Sequence, residues 1–119
     1  MVITKKQATK FPVNPNHAVW DYPMPNKEIG FSYQEINGET PEGAWWKNTV
    51  CEEWYFVISG SGIVYIEDTR EECHQGDIII LPVHKKHKIV GNKLCMIATT
   101  KPDWYEEQAE IIPDKNKGI

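Results

Sequence analysis

Short runs of alternating apolar and polar residues fill the middle of the chain, with turn residues between them at close intervals. Phe31-Ser-Tyr-Gln-Glu-Ile36 alternates and runs into Asn37-Gly38, a strong hairpin pair. Ala44 to Lys47 reads as a second strand and Glu53 to Ser59 as a third, which Gly60-Ser-Gly62 turns into Ile63 to Glu67. Asp68-Thr-Arg70 leads into Glu71 to Cys73, and Asp77 to Leu81, His87 to Val90 and Leu94 to Thr100 complete the set. Gly91-Asn92 separates the last two strands. Only Trp104 to Ile112 carries a weak helical period. This succession predicts an all-β sandwich or barrel.

The ends read differently. Residues 1–29 are rich in proline and asparagine around one apolar run, His17 to Tyr22, which predicts an irregular arm with at most an edge strand. Residues 30–103 form the expected barrel. Residues 104–119 are expected to fold back over a barrel edge and to end in a frayed tail after Pro113.

Several strands are apolar on both faces. If Glu53 points inward, so do Tyr55 and Val57, which sends Trp54, Phe56 and Ile58 outward. A sheet with one wet face should alternate cleanly, so something covers the outer one. The expectation is a homodimer with Trp54 and Phe56 near the contact.

Composition narrows the class. The chain has 119 residues, enough for one domain, with 40% hydrophobic and 25% charged residues. A net charge of −4 and a single arginine, Arg70, argue against nucleic-acid binding. No apolar run reaches the length of a membrane span or has the form of a signal peptide, so the expectation is a cytoplasmic protein with no membrane partner. Cys51, Cys73 and Cys95 form no CxxC pair and are odd in number, which argues against a disulfide framework or a thiolate zinc finger.

Two segments carry the chemistry. Glu53 opens an apolar strand and is followed six residues later by Gly60; Gly76, Pro82 and His87 recur downstream at fixed spacings. In order and at this separation they resemble the two motifs of the cupin superfamily, small jelly-roll β-barrels of the double-stranded β-helix type. The resemblance covers about residues 35–100. It implies a small polar metabolite in the barrel and, in many members, a divalent metal such as zinc, iron, manganese or nickel. The His-x-His pair that supplies two metal ligands in typical members is absent: those positions hold Lys47 and Thr49, or Trp46 and Asn48. His84 stands at the motif's second glycine.

Glu53 and His87 are therefore the candidate catalytic pair. With Cys51, which shares the strand parity of Glu53, they are also the candidate metal ligands, although such sites normally take three or more good donors. Lys47, Asn48, Thr49, Tyr55 and Tyr65 are the candidate ligand-binding residues. A carboxylate on an apolar strand must be paired, solvated or protonated, so Glu53 calls for a partner whatever the function. Two functions fit: an isomerase-, lyase- or dioxygenase-type enzyme, metal-assisted or acid–base, or a non-catalytic, metal-free binding module.

Overall fold

The computed structural model describes residues 1–114. Among them are nine strands: β1 (Thr9–Asn14), β2 (His17–Asp21), β3 (Gly30–Thr40), β4 (Ala44–Asn48), β5 (Glu52–Ile66), β6 (Thr69–His74), β7 (Ile78–Leu81), β8 (Lys86–Lys101) and β9 (Ala109–Pro113). Two single 3-10 turns, Lys5–Gln7 and Glu106–Gln108, are the only helical pieces among the described residues. No helix there is long and apolar enough to cross a membrane. The strands pair antiparallel in one sheet curled into a half-barrel. β8 is its spine, pairing with β3, β4 and β5, while β6 and β7 both hang on β5.

Three expected hairpin turns are bends inside long strands. β3 runs through Asn37-Gly38, β5 through Gly60-Ser-Gly62 and β8 through Gly91-Asn92. The glycines are needed because backbones crowd at these points. A Cβ on Gly60 would lie 2.0 Å from the Lys93 carbonyl oxygen, and one on Gly91 would lie 2.4 Å from that of Ile36. Register slips beside the bends, between Val57 and Ser61 and between Ile36 and Gly38, so these glycines mark bulges.

The ends are more regular than their composition suggests. β1 and β2 form a hairpin that extends β3, with Pro12 tolerated on the outermost strand. The weak helical period near the end corresponds to one 3-10 turn followed by β9, which pairs along β4. Tertiary pairing with a free strand edge has overridden the local pattern. Residues 115–119, the rest of the expected tail, lie outside the described residues.

Alternation is clean where the site forms. Along β5, Glu53, Tyr55 and Val57 are buried, while Phe56 and Ile58 are exposed. The core is built from Ile36, Val57, Leu81, Leu94 and Met96, all essentially inaccessible. On the outer face Phe56 is 48% exposed and Ile78 is 64% exposed. They are direct neighbours, with Trp54 beside Ile80 and Ile97 on the flank, so one apolar patch spans β7, β5 and β8.

Candidate functional site

Glu53 is 7% exposed and both its oxygens accept hydrogen bonds. Asn48 Nδ2 donates to Oε1 at 2.6 Å, and the Tyr55 hydroxyl donates to Oε2 at 2.6 Å. Charge-assisted bonds of this kind offset the cost of burying a carboxylate. Burial first, then the adjacent Glu53 charge, holds the Tyr55 phenol well above its ordinary pKa, so it stays a donor.

The orientation of each group follows from its neighbour. Gln108 Oε1 accepts from the backbone N–H groups of Thr49, Val50 and Cys51 at 3.1, 3.1 and 3.0 Å. Its amide nitrogen must then face Asn48 Oδ1, at 2.8 Å, where the Trp104 indole N–H also donates at 3.1 Å. With two donors on its oxygen, Asn48 can only present N–H to Glu53.

A second chain arrives from the other side. Tyr55 spends its proton on Glu53, so Gln34, which also hydrogen-bonds the phenol, presents its amide nitrogen there and to Ser32 Oγ at 3.0 Å. Gln34 Oε1 faces His17 Nε2 at 2.7 Å, which puts the imidazole proton on Nε2. His17 Nδ1 is then the acceptor for Thr40 Oγ1 at 2.9 Å, and Thr40 accepts in turn from Asn14 Nδ2 at 3.0 Å. Two directed chains of donors thus end on one carboxylate, an arrangement in which each bond polarises the next.

His87 stands apart from both chains. It is 5% exposed, and its Nδ1 is a buried side-chain polar atom with no hydrogen-bond partner. Burial lowers its pKa; the Glu53 charge, and then the nearby Lys85 backbone, oppose that shift, yet no acceptor meets Nδ1 in bonding geometry. Its lateral neighbours are Trp46 on β4 and Ile66 on β5. A buried, unsatisfied imidazole nitrogen costs stability and calls for an explanation in function.

The other expected residues divide by strand parity. Thr49 is half-buried and bonds the Gln108 carbonyl through its hydroxyl at 2.5 Å. Lys47 alternates away from the buried Asn48 and lies across from Lys86 and Glu110. Tyr65 alternates away from the buried Val64 and lies across from Lys88, on the face turned from the interior. The structure therefore brings together Asn48, Glu53, Tyr55 and His87, and leaves Lys47 and Tyr65 outside that group.

A metal does not fit these residues. Both Glu53 oxygens are engaged, and the Cys51 thiol faces the Asp103 carbonyl at 3.9 Å with its pKa raised, chiefly by burial. Among the described residues no group of three or more His, Cys, Asp or Glu side chains is placed to hold an ion. Glu53, His87 and Cys51 do not form a donor set: the first and last are engaged with other partners, and His87 alone cannot hold an ion.

Comparison with solved structures places the architecture. Pac13, described as a nucleoside dehydratase, superposes with a TM-score of 0.83 over 95% of this chain and 91% of its own, at 16% identity. An RmlC-like cupin from Shewanella frigidimarina superposes with a TM-score of 0.69 over 87% of this chain and 91% of its own, at 15% identity. The fold is that of the cupins. No family profile matches this sequence. Two curated relatives do: UPF0310 protein SSO2595 of Saccharolobus solfataricus, 36% identical over 80 residues, and the uncharacterized protein MJ1618 of Methanocaldococcus jannaschii, 30% identical over 69 residues. The matches take in 63% and 56% of this chain, which spans about half the length of those relatives (54% and 55%).

Sequence reasoning missed His17, Gln34, Trp104 and Gln108. His17 was within reach, since it shares parity with Val19 and Asp21 in the one apolar run of the arm. Gln108 gives no local signal, because its role depends on a backbone turn 57 to 59 residues away in sequence.

Proposed function

We propose that this cupin binds a small polar metabolite in its half-barrel and acts on it by metal-free proton transfer. His87 is the group that meets the ligand, and Glu53 with Tyr55 forms the fixed polar anchor. The observation that carries this reading is the unpartnered, buried Nδ1 of His87 beside a fully organised carboxylate. An imidazole kept neutral by burial is ready to act as a base near neutral pH. Tyr55, whose proton is committed to Glu53, fixes the carboxylate, so His87 itself returns the proton it takes. Pac13, a nucleoside dehydratase also described in complex with uridine, supports nucleosides as the first ligands to try and loss of water as the first reaction to look for.

One observation favours binding without turnover. Glu53 has no free oxygen in this arrangement and serves as an anchor more readily than as a base. The two readings separate in one experiment: incubation with a nucleoside and free-sugar panel, followed by mass spectrometry for loss of water and by NMR of the His87 ring. Ring shifts with product formation, both lost in His87→Asn, support the enzyme. Ring shifts without product support the binding module. An unmoved ring across the panel refutes the site.

The setting we propose is cytoplasmic and dimeric. Three free cysteines, two of them buried, support a reducing compartment. The apolar patch around Phe56 and Ile78 supports a second copy of the chain as its cover.

A further inference from the structure

We infer that His87 meets its ligand through Nε2, and that the main-chain carbonyl of Lys85, set by the turn at His84, holds the ring in that orientation. This rests on the reading above that His87 is the ligand-facing group, and it adds which nitrogen works and what positions it.

The two ring nitrogens differ in access. Nδ1 is sealed from solvent and has no partner. Nε2 is not sealed, and no hydrogen bond within the described residues engages it. A ligand touches only an atom with accessible surface, so Nε2 is the nitrogen it reaches. Nδ1 must find its partner in the protein, since a buried polar atom without one is costly.

The surroundings leave one acceptor for it. Both Glu53 oxygens are taken by Asn48 and Tyr55. Trp46 and Ile66 flank His87 on the neighbouring strands. Lys86 and Lys88 alternate away from His87, and their ammonium groups sit over the Trp45 ring at 4.7 and 5.1 Å. The Lys85 side chain is exposed, but its backbone approaches the imidazole. Burial lowers the pKa of His87 most, and Glu53 and then the Lys85 backbone act against it. A backbone group that favours the protonated imidazole is an acceptor, so the carbonyl is what faces the ring. Nδ1 lies one bond nearer the main chain than Nε2 and is the nitrogen that a carbonyl two residues back can meet.

A proton on Nδ1 is attracted to that carbonyl, whereas a lone pair there would face another lone pair. The Nδ1–H tautomer is therefore selected, which leaves the basic lone pair on Nε2. The contact stops short of bonding geometry. When Nε2 takes a proton from the ligand the ring becomes a cation and Nδ1–H a stronger donor, so the bond to Lys85 tightens at that moment.

The turn explains the placement. His84 has φ 69°, a left-handed backbone uncommon outside glycine and of the strained kind found at functional sites. Its N–H donates to the Asn48 carbonyl at 2.8 Å, and the Lys86 carbonyl accepts from the Glu67 N–H at 3.0 Å. These bonds pin Lys85 from either side. One residue, Asn48, thus sets the carboxylate through its side chain and the imidazole through its carbonyl.

Nitrogen NMR of the histidine rings at about pH 7.5 tests this, with His87→Asn identifying the His87 signals. The Nδ1–H form should outweigh the other at least about tenfold. Uridine, or whichever member of the nucleoside and sugar panel moves the ring, should shift Nε2 more than Nδ1. His84→Gly accepts the left-handed turn and should keep this tautomer. His84→Val, β-branched, resists the turn and should raise the Nε2–H share at least about twofold. The amide spectrum checks that both variants fold. A wild-type ring resting as Nε2–H, a ligand shift larger at Nδ1, or a tautomer untouched in His84→Val overturns the inference and leaves the site standing. A ring unmoved by the whole panel overturns the site and the inference together.

Discussion

Gln108→Met tests the polar framework most directly. Methionine keeps nearly the same length and volume, so the packing change is small. It removes an acceptor used by three backbone N–H groups and the donor that orients Asn48. Gln108 is 3% exposed, so water does not simply replace it. The three N–H groups lose unequally. Val50 is exposed at 47% and can turn to solvent, Thr49 keeps its N–H bond to the Gln108 carbonyl, and Cys51 is fully buried. An orphaned buried donor costs about 1–3 kcal/mol and an ordinary lost hydrogen bond about 0.5–1.5 kcal/mol. Cys51 supplies the first of these costs and Asn48 the second, giving about 1.5–4.5 kcal/mol. Urea unfolding followed by tryptophan fluorescence measures it, with an unchanged slope as the sign that the fold is retained. A loss below about 0.5 kcal/mol, the range of ordinary surface changes, would refute the claim that this amide organises the site.

Tyr55→Phe removes a charge-assisted bond to Glu53 and should lower stability by about 1.5–3 kcal/mol, read from chemical denaturation. His17 and His87 both have folded pKa values below the ordinary 6.5, so the unfolded chain binds more protons below that value. Stability should be complete above pH 6.5 and fall as the pH drops through that value toward the lower folded values; a urea midpoint flat from pH 7.5 to 5 in wild type, or a His17→Asn/His87→Asn variant with the same slope, would contradict this. Ile78→Lys, on the exposed apolar patch, should give a monomer by light scattering where the wild-type chain is a dimer; a monomeric wild type at micromolar concentration removes the second copy as the cover. Zinc, manganese or iron(II) added in modest excess should leave the melting temperature within about one degree, because binding to the native state would raise it.

How much the sequence tells depends on whether a feature is local. The parity of Glu53, Tyr55 and Val57 was legible because alternation survives along the first half of β5. The glycines were legible as special positions, but not as bulges: whether a glycine reverses a strand or bends it depends on the neighbour that crowds it, such as Lys93 against Gly60. The orientation of Asn48 was beyond reach, since it is fixed by Trp104 and Gln108, 56 and 60 residues away. Lys47 and Asn48 are adjacent in sequence and lie on opposite faces, so the register of β4 against β8 decides which belongs to the site. The same pairing puts Trp46, which the motif comparison treats as a vacant ligand position, beside His87.

The glycine pair Gly62 and Gly91 lies side by side on β5 and β8, the sheet's two longest ribbons. Glu53 sits before that crease on β5, whereas His87 pairs with Ile66 beyond it. Acid and imidazole therefore ride on separate leaves of one folded page, and the gap between them is governed by how far the page is closed. A side chain placed at Gly91 would press on the Ile36 carbonyl and drive β3 from β8 at the crease itself, a fault introduced at the hinge by a residue outside the centre.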